Sequence, residues 1–167
     1  MSNILNIRTE EVPNRSDVER RDREMLSELL GRVLASTYVL YHKTHAFHWN
    51  VTGPLFHSVH QLTEEQYKDL AEAVDDIAER IRAIGFPAPI GLSRYTKESC
   101  VTDTSEFPDT GTMIHELARD HQLVANQIRE VVSEAEKTGD LYTADLLTSR
   151  IGVHEKAAWM LNALIVQ

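Results

Sequence analysis

Five residues of metal-binding type lie within one 32-residue stretch of the chain: His48, His60, Glu64, Asp75 and Glu79. Imidazole and carboxylate groups are common ligands of first-row transition metals in proteins. Two of the gaps, His60 to Glu64 and Asp75 to Glu79, are four residues, about one turn of an α-helix. A mixed nitrogen and oxygen set with no nearby thiolate suits Fe(II) and, less selectively, Zn(II) or Mn(II). The stretch is therefore a candidate iron site.

One copy of the chain cannot supply all of these ligands to one ion. Placed on a single helix, the last four residues share one face, at about 0°, 40°, 60° and 100° around the axis. However, Glu64 and Asp75 are 11 residues apart, about 16 Å along the axis, and metal–ligand bonds are only about 2.0–2.2 Å long. The helix therefore carries two half-sites. An antiparallel copy, related by a two-fold axis near Asp69-Leu70, would complete both, as an isologous interface requires.

The turn between the first two helices brings in the remaining histidine. This turn is predicted around Asn50, Gly53 and Pro54, and His48 and His60 lie six residues to either side of its centre. In a helical hairpin they should face each other at similar height. The predicted site takes three ligands from one subunit and two from the second copy: His48, His60 and Glu64, with Asp75 and Glu79.

The rest of the sequence predicts long helices that position these residues. There are only seven Gly and five Pro, and apolar residues recur at helical spacing. Helices are expected over residues 17–48, 55–84 and 110–138, and from the Gly139-Asp140 turn to the end of the chain. Ser16 and Glu19 are expected to form a capping box at the first. The expected core positions on the first, third and fourth helices are Met25, Leu26, Leu29, Leu30, Val33, Leu34 and Leu40; Met113, Leu117, Val124, Ile128 and Val131; and Leu147, Ile151, Ala158, Leu161 and Ile165.

Residues 85–108 form an unusually long connection, with three of the five prolines and two glycines. Such a segment would be wasteful between neighbouring antiparallel helices, so we expect it to span the bundle, with a short helix at LSRYTKES. One long crossover between helices two and three is typical of a ferritin-like four-helix bundle. The predicted fold is thus all-α, with a flexible N-terminal segment (1–15) and one bundle domain (16–167).

Composition and charge limit which binding partners and which cellular compartment are expected for this protein. The formal charge of −9 disfavours nucleic-acid binding unless a local basic patch offsets it. No run approaches 18 apolar residues, and the N-terminus has no signal-peptide pattern, so no membrane association is expected. Cys100 is the only cysteine, which excludes an internal disulfide and fits a reducing cytoplasm.

The stretch HWNVTGPLFHSVHQLTEEQYKDLAEAVDDIAERIRAIG resembles the core motif of the Dps family, the DNA-binding proteins from starved cells. The resemblance implies that His48, His60, Asp75 and Glu79 are ferroxidase ligands. Glu64 stands where the family more often has Asp; it keeps the charge and adds one methylene, so metal binding with altered geometry or affinity is expected. Trp49 matches a family tryptophan that is thought to absorb oxidising equivalents beside the iron, and interface packing is an equal alternative for it.

The resemblance also implies an assembly and an activity. Family members are dodecameric mini-ferritins, here a homo-oligomer of twelve subunits built from two-fold dimers. They oxidise Fe(II) to Fe(III), with hydrogen peroxide or dioxygen, store the ferric mineral and protect against oxidative damage. Many bind DNA through a lysine-rich tail, which neither end of this sequence has, so DNA binding by that route is not expected. A non-enzymatic DNA-binding nucleoid protein, with the weak basic cluster Arg20, Arg21 and Arg23, and a Zn²⁺-sequestering bundle stay open as alternatives.

Two further groups are secondary candidates. Three histidines near the predicted site could form an accessory metal site, or could be polar surface or interface residues: His42, His45 and His57. Four acidic residues flank the turn before the last helix, where family members have an iron-entry pore; helix capping with solvated carboxylates is the alternative. They are Glu134, Glu136, Asp140 and Asp145.

Overall fold

The computed structural model describes residues 8–12, 14 and 16–165, and this part of the chain is helical without strands. It confirms the predicted all-α bundle with a short helix in the crossover. The five helices are α1 (Arg20–Asn50), α2 (Phe56–Ala83), α3 (Leu92–Glu98), α4 (Thr110–Thr138) and α5 (Leu141–Ala163).

The bundle consists of two helical hairpins. Helices α1 and α2 pack together, α4 and α5 pack together, and α1 joins the hairpins by packing against α4. The crossover after α2 places α3 against α1. Apolar residues at helical spacing fill the space between them because each helix buries one stripe. Fully buried examples from the long helices are Leu26, Leu30, Leu40, Leu70, Ile77, Ile114, Leu117, Ile128, Leu147 and Leu161.

Local capping sets the turn between α4 and α5. Helix α4 occupies residues 110–138 as predicted, because Asp109 accepts a hydrogen bond from Thr112 N–H (3.0 Å) at its start. Gly139 ends it with φ of 76°. Asp140 then caps α5 by accepting from Thr143 N–H (3.1 Å), so for this residue the helix-capping alternative is confirmed.

The two outer helix ends differ from the prediction. The capping box at Ser16 and Glu19 is wrong: Ser16 Oγ accepts from Val18 N–H (3.1 Å), and Glu19 occupies the N-cap without a side-chain cap bond. Since Ser16 is used in this local turn, α1 begins at Arg20 rather than at residue 17. Helix α5 ends at Ala163 rather than at the end of the chain, whose last two residues lie outside the described part.

The described residues before α1 contact the end of α2. Val12 N–H donates to Gly85 C=O (2.8 Å), and the Asn14 side-chain amide donates to Ala83 C=O (2.6 Å). Gly85 has φ of 108°, and a Cβ there would lie 2.8 Å from Val12 O. This close approach requires glycine. A flexible segment was predicted over residues 1–15. Of these, residues 1–7, 13 and 15 lie outside the described residues.

A buried ammonium group connects α1, α4 and the crossover. The Lys43 side chain is 1% exposed, and its Nζ lies 2.8 Å from Asp120 Oδ2 and 2.9 Å from Glu116 Oε2. It also donates to Thr102 C=O (3.0 Å). The ammonium donates hydrogen bonds to Asp120 and Thr102, and Glu116 adds a second carboxylate charge at ion-pair distance, which is how a buried charge is tolerated. Across the described helices, none is both long and apolar enough for a membrane span.

Candidate metal centre

His48 and His60 hold each other across the α1–α2 turn. His48 Nδ1 lies 2.8 Å from His60 O, and His60 Nδ1 lies 2.9 Å from His48 O. The two rings stack with centroids 3.8 Å apart and planes 19° from parallel. The expected apposition of these histidines at one height is therefore confirmed. Their role as metal ligands stays a prediction.

The two reciprocal hydrogen bonds select one tautomer of each ring. A carbonyl oxygen can only accept, so each Nδ1 must carry the proton and donate it. In a neutral imidazole the lone pair is then on Nε2, the arrangement that metal-binding histidines commonly use. Thr63, which sequence reasoning missed, is buried beside them with its Oγ1 3.4 Å from His48 Nδ1. Its position one helical turn after His60 was the available signal.

Glu64 lies one turn after His60 and is bound to a cation within its own helix. Lys68 Nζ donates to Glu64 Oε1 in an exposed i,i+4 ion pair. This hydrogen bond, and then the charge of Lys68, lower the pKa of Glu64 below its usual value. The carboxylate is thus ionised and able to bind a metal, but Lys68 competes for it. The i,i+4 spacing of Glu64 and Lys68 is the sequence signal for this pair.

Asp75 and Glu79 occupy the other half of α2, where both are exposed. Among the residues that the structure describes, no three His, Cys, Asp or Glu side chains come close enough to hold a metal ion. One chain therefore brings together the two histidines, with Glu64 one turn away, and leaves the distal carboxylates separate. This is the division into half-sites that helix geometry requires.

Aromatic rings surround the histidine pair. Trp49 is 60% exposed and lies against His45, with ring centroids 4.2 Å apart. His45 in turn stacks on Tyr67 at 4.0 Å, and Tyr67 meets His48 edge-on at 5.2 Å. Burial, and then the charges of His48 and His42, lower the pKa of His45. Tyr67, which sequence reasoning missed, contacts the candidate site directly.

The three histidines of the possible accessory metal site differ in their surroundings. His42 and His57 are exposed, whereas His45 is packed between aromatic rings. The accessory site stays a prediction, and the residues described here contain no three-ligand cluster to support it.

Some acidic residues of the turn before α5 have structural roles. Asp140 is 4% exposed, and Arg80 donates to it (2.6 Å) together with the backbone and hydroxyl of Thr143. Burial raises the pKa of Asp140, but these hydrogen bonds outweigh it and the net shift is downward. Glu134 pairs with Lys137, and Asp145 is exposed. A pore role stays a prediction that suits Asp145 better than the enclosed Asp140.

Comparison with known proteins identifies the family to which the fold belongs. Residues 27–167 match the family model of the ferritin-like domain. The chain is 34% identical over 142 residues to a DNA protection during starvation protein of Helicobacter pylori, covering 81% of this chain and 95% of that protein. It is 33% identical over 140 residues to DNA protection during starvation protein 2 of Bacillus anthracis, with 84% and 96% coverage.

Solved structures agree in fold. The chain superposes with a TM-score of 0.87 on a Dps protein from Vibrio cholerae, which is described as a member of the ferritin-like diiron-carboxylate superfamily. That comparison covers 95% of this chain and 100% of the other at 28% identity. The family match over most of the chain, together with these relatives, shows that the chain belongs to the Dps family of ferritin-like proteins.

Proposed function

We propose that this protein oxidises Fe(II) at sites shared by two copies of the chain and stores the ferric product, thereby limiting oxidative damage. The observation that carries the proposal is the His48–His60 pair, whose Nδ1 atoms are both bound to carbonyls so that both Nε2 lone pairs are free. Iron is the substrate and cargo in this reaction.

The complete donor set requires an antiparallel neighbour. His48, His60 and Glu64 form one half-site, and Asp75 and Glu79 of a second α2 form the other half. Within one copy the two halves are about 16 Å apart along α2, from 11 residues at 1.5 Å each. A two-fold axis near the middle of α2 pairs each half with its complement and produces two equivalent sites. The exposure of Asp75 and Glu79 in the single chain leaves them available for this interface.

The donor chemistry suits iron in both oxidation states. Neutral imidazoles suit Fe(II), and three carboxylates supply harder, charged oxygens that favour Fe(III) as it forms. Zn(II) would fit the same ligands and act as a competitor that cannot be oxidised. Hydrogen peroxide or dioxygen is the oxidant. A shell of twelve subunits, expected from the family resemblance, would provide the storage volume.

Optical measurement of Fe(II) oxidation in the assembled protein tests this proposal. The variants His60→Ala and Asp75→Ala each remove a ligand from a different half-site, and we expect a loss of initial rate of about 10²-fold or more, the cost of removing a positioned catalytic group. Asp76→Ala, an exposed neighbour of Asp75, and His115→Ala on α4 serve as matched controls that keep the wild-type rate. Wild-type rates in His60→Ala and Asp75→Ala would exclude the proposed site.

Metal analysis separates oxidation from simple sequestration. We expect wild-type protein to turn over many Fe(II) ions per subunit and to be inhibited by stoichiometric Zn(II). Zinc retention without any iron turnover would instead support the zinc-sequestering alternative.

DNA binding is the second candidate function, because the relatives from Helicobacter pylori and Bacillus anthracis are named for DNA protection. The weak basic cluster offers little free charge for it. Arg20 pairs with Glu11 and Glu24, and Arg23 is 7% exposed and donates to Ile84 C=O (2.6 Å). Arg21 is the most exposed of the three, at 94% of its side chain, and lies 4.0 Å from Asp22, whereas 55% of the paired Arg20 side chain is exposed. A gel-shift assay at moderate salt would support strong DNA binding only if a complex forms below micromolar protein.

A further inference from the structure

A cleft lies between the two hairpins on one side of the bundle. The hairpins are joined through α1 and α4, whereas α2 and α5 have few direct contacts, and a cleft of about 280 Å³ remains between them. Buried Gln66 of α2 and buried His121 of α4 line it. Apolar side chains from the two facing helices α2 and α5 also line it: Leu62, Val153, Ala157 and Met160.

The Gln66 carboxamide is the first feature that points to a ligand. Gln66 is 8% exposed, and neither its Nε2 nor its Oε1 has a hydrogen-bond partner among the described residues. Buried polar groups of folded proteins are nearly always paired, because burying an unpaired amide costs free energy. Leucine would fill this position without that cost. A group that accepts from Nε2 and donates to Oε1 would satisfy both atoms.

His121 supplies a third hydrogen-bonding atom to the same cleft. Burial lowers the pKa of His121 to about 3 and that of His154 well below its ordinary value, so both rings are neutral at neutral pH. Their Nδ1 atoms lie 2.9 Å apart and share one proton, and the second proton is on Nε2 of the accepting ring. Within the described chain, both Nε2 atoms are buried without a partner. His121 Nε2 can therefore donate or accept, according to the tautomer of the pair.

The charges that line the cleft compensate one another. Arg150 donates to both carboxylate oxygens of Asp69 (2.9 and 2.6 Å), and Glu65 and Lys156 contribute one charge of each sign. The carboxylate of Asp69 is thus already bound, and no three His, Cys, Asp or Glu side chains of the described residues cluster closely enough for a metal ion. An anion would accept from Gln66 Nε2 but leave Oε1 unpaired. The cleft therefore suits a neutral ligand that both donates and accepts.

We propose that the cleft between α2 and α5 binds a small neutral molecule that carries a primary carboxamide on a flat apolar ring. The two carboxamides pair through two hydrogen bonds: the ligand donates to Gln66 Oε1 and accepts from Gln66 Nε2. His121 Nε2 binds the remaining N–H or the carbonyl. The ring packs between the apolar side chains of α2 and α5, and the Met160 thioether suits contact with an aromatic ring. The terminal torsion of glutamine is soft, so the Gln66 amide can turn toward the ligand.

Three probes of nearly the same shape test the chemistry of this site. Benzamide donates and accepts, benzoate is charged and only accepts, and acetophenone has the carbonyl without the N–H. Ligand-observed saturation-transfer NMR on the assembled protein measures their dissociation constants. We expect benzamide to bind at least tenfold more tightly than the other two, since only benzamide pairs both atoms of Gln66. Equal binding of all three probes, or no binding of benzamide, would overturn the proposal.

Gln66→Leu removes the pairing group and keeps a side chain of similar size. We expect its affinity for benzamide to fall at least tenfold and the preference over acetophenone to disappear. Its melting temperature should stay the same or rise, because an unpaired buried amide has been removed. Gln122→Leu is the matched control, since Gln122 is exposed on α4 beside His121 and does not line the cleft. Unchanged benzamide affinity in Gln66→Leu would contradict the pairing.

Val153→Phe is a second variant that leaves Gln66 in place. The larger ring fills the cleft from α5, so binding of all three probes should be lost, and wild-type affinity for benzamide would place its site elsewhere and overturn the proposal. At 100° per residue, Gln66 is at about 240° on α2, whereas the candidate metal ligands span about 0° to 100°. Fe(II) oxidation should therefore keep the wild-type rate in Gln66→Leu and Val153→Phe, which separates failure of this site from failure of the proposed function.

Discussion

The ring-to-carbonyl bonds of His48 and His60 position both imidazoles before any metal arrives. Each ring is restrained by a hydrogen bond to the backbone of the opposite helix and by stacking on the other ring. Fewer rotamers must then be lost on binding, which favours affinity. The histidine half-site is thus preorganised, whereas Glu64 must first leave Lys68.

Replacing Lys68 should strengthen metal binding. In Lys68→Gln the carboxylate of Glu64 loses its cationic partner, and repulsion between Lys68 and an incoming cation also disappears. Because solvent screens an exposed ion pair, the gain is small, and we expect the dissociation constant for Zn(II) to fall by about fivefold at most. Isothermal titration of the assembled protein measures this change.

Lys137→Gln is the matched control, since Lys137 forms an equivalent exposed pair with Glu134 on α4. It should leave Zn(II) affinity unchanged. Weaker binding in Lys68→Gln than in the wild type would show that Lys68 supports the site rather than competes with it.

At the scale of the residue, types and spacing were enough to predict the apposition of His48 and His60, because a helical hairpin places residues equidistant from its turn opposite each other. Residue types and spacing could not predict that each imidazole ring would bind the backbone carbonyl of the other histidine. That depends on side-chain rotamers and on the approach of the two helices, which local sequence does not encode. The ion pair of Glu64 with Lys68 was predictable from i,i+4 spacing.

Among the elements, the junction of α2 with the crossover depends on Gly85. Its φ of 108° disfavours any side chain, and a Cβ would lie 2.8 Å from Val12 O and 3.0 Å from Arg23 Nη1. We expect Gly85→Ala to lower the free energy of unfolding by about 1–3 kcal/mol, the cost of strained backbone. Guanidinium unfolding measures the change.

Gly152→Ala is the control for this substitution. Gly152 is helical within α5, and a Cβ added there meets nothing within 4 Å. Alanine should therefore stabilise α5 by about 0.5–1 kcal/mol through its better helix propensity. A Gly85→Ala protein as stable as the wild type would contradict the importance of this junction.

Helix boundaries were predictable where a short-range signal sets them. Asp109, Gly139 and Asp140 act on residues within one turn, so the α4–α5 junction agreed with the sequence pattern. The start of α1 was not predictable in this way. Ser16 matched a capping box, but its hydroxyl accepts from Val18 instead, and buried Arg23 binds the carbonyls of Val18 and Ile84 at distances of 3.2 and 2.6 Å. The contact with Ile84 spans 61 residues.

The whole bundle encloses a histidine pair that makes its stability depend on pH. His121 on α4 and His154 on α5 are 1% and 0% exposed, with their Nδ1 atoms 2.9 Å apart. Burial, and then the charge of Arg150, lower the pKa of His121 to about 3, and the nearby Asp69 carboxylate only partly opposes this. Burial also lowers the pKa of His154 well below its ordinary value.

Stability should therefore decrease on mild acidification. The unfolded chain binds protons at these histidines below about pH 6.5, whereas the folded chain resists protonation of His121 down to about pH 3. Stability is highest above pH 6.5, and each histidine then costs up to about 1.4 kcal/mol per pH unit as the pH falls toward its folded pKa. Guanidinium unfolding between pH 7 and pH 5 measures this slope.

The double variant His121→Leu with His154→Leu removes both titrating groups and should flatten that slope. An equally steep pH dependence in the double variant would contradict the assignment to this pair. Neither the pair nor the buried Lys43–Asp120 contact was predictable from the sequence, because their partners are 33 and 77 residues apart. Such contacts follow from the packing of helices on each other.

The central claim is that the metal centre is completed between two copies, and complementation of variants tests it most directly. His60→Ala and Asp75→Ala subunits are co-expressed with different tags, and mixed assemblies are isolated through both tags. In a mixed dimer, one site combines the intact histidine half of the Asp75→Ala chain with the intact carboxylate half of the His60→Ala chain. The other site carries both lesions.

We expect mixed assemblies to recover about a quarter of the wild-type Fe(II) oxidation rate, because random pairing makes half of the dimers mixed and each has one intact site of two. Mixing His60→Ala with Glu64→Ala should recover nothing, since both lesions affect the same half-site. If mixed His60→Ala and Asp75→Ala assemblies stay as inactive as their parents, the shared metal centre is contradicted.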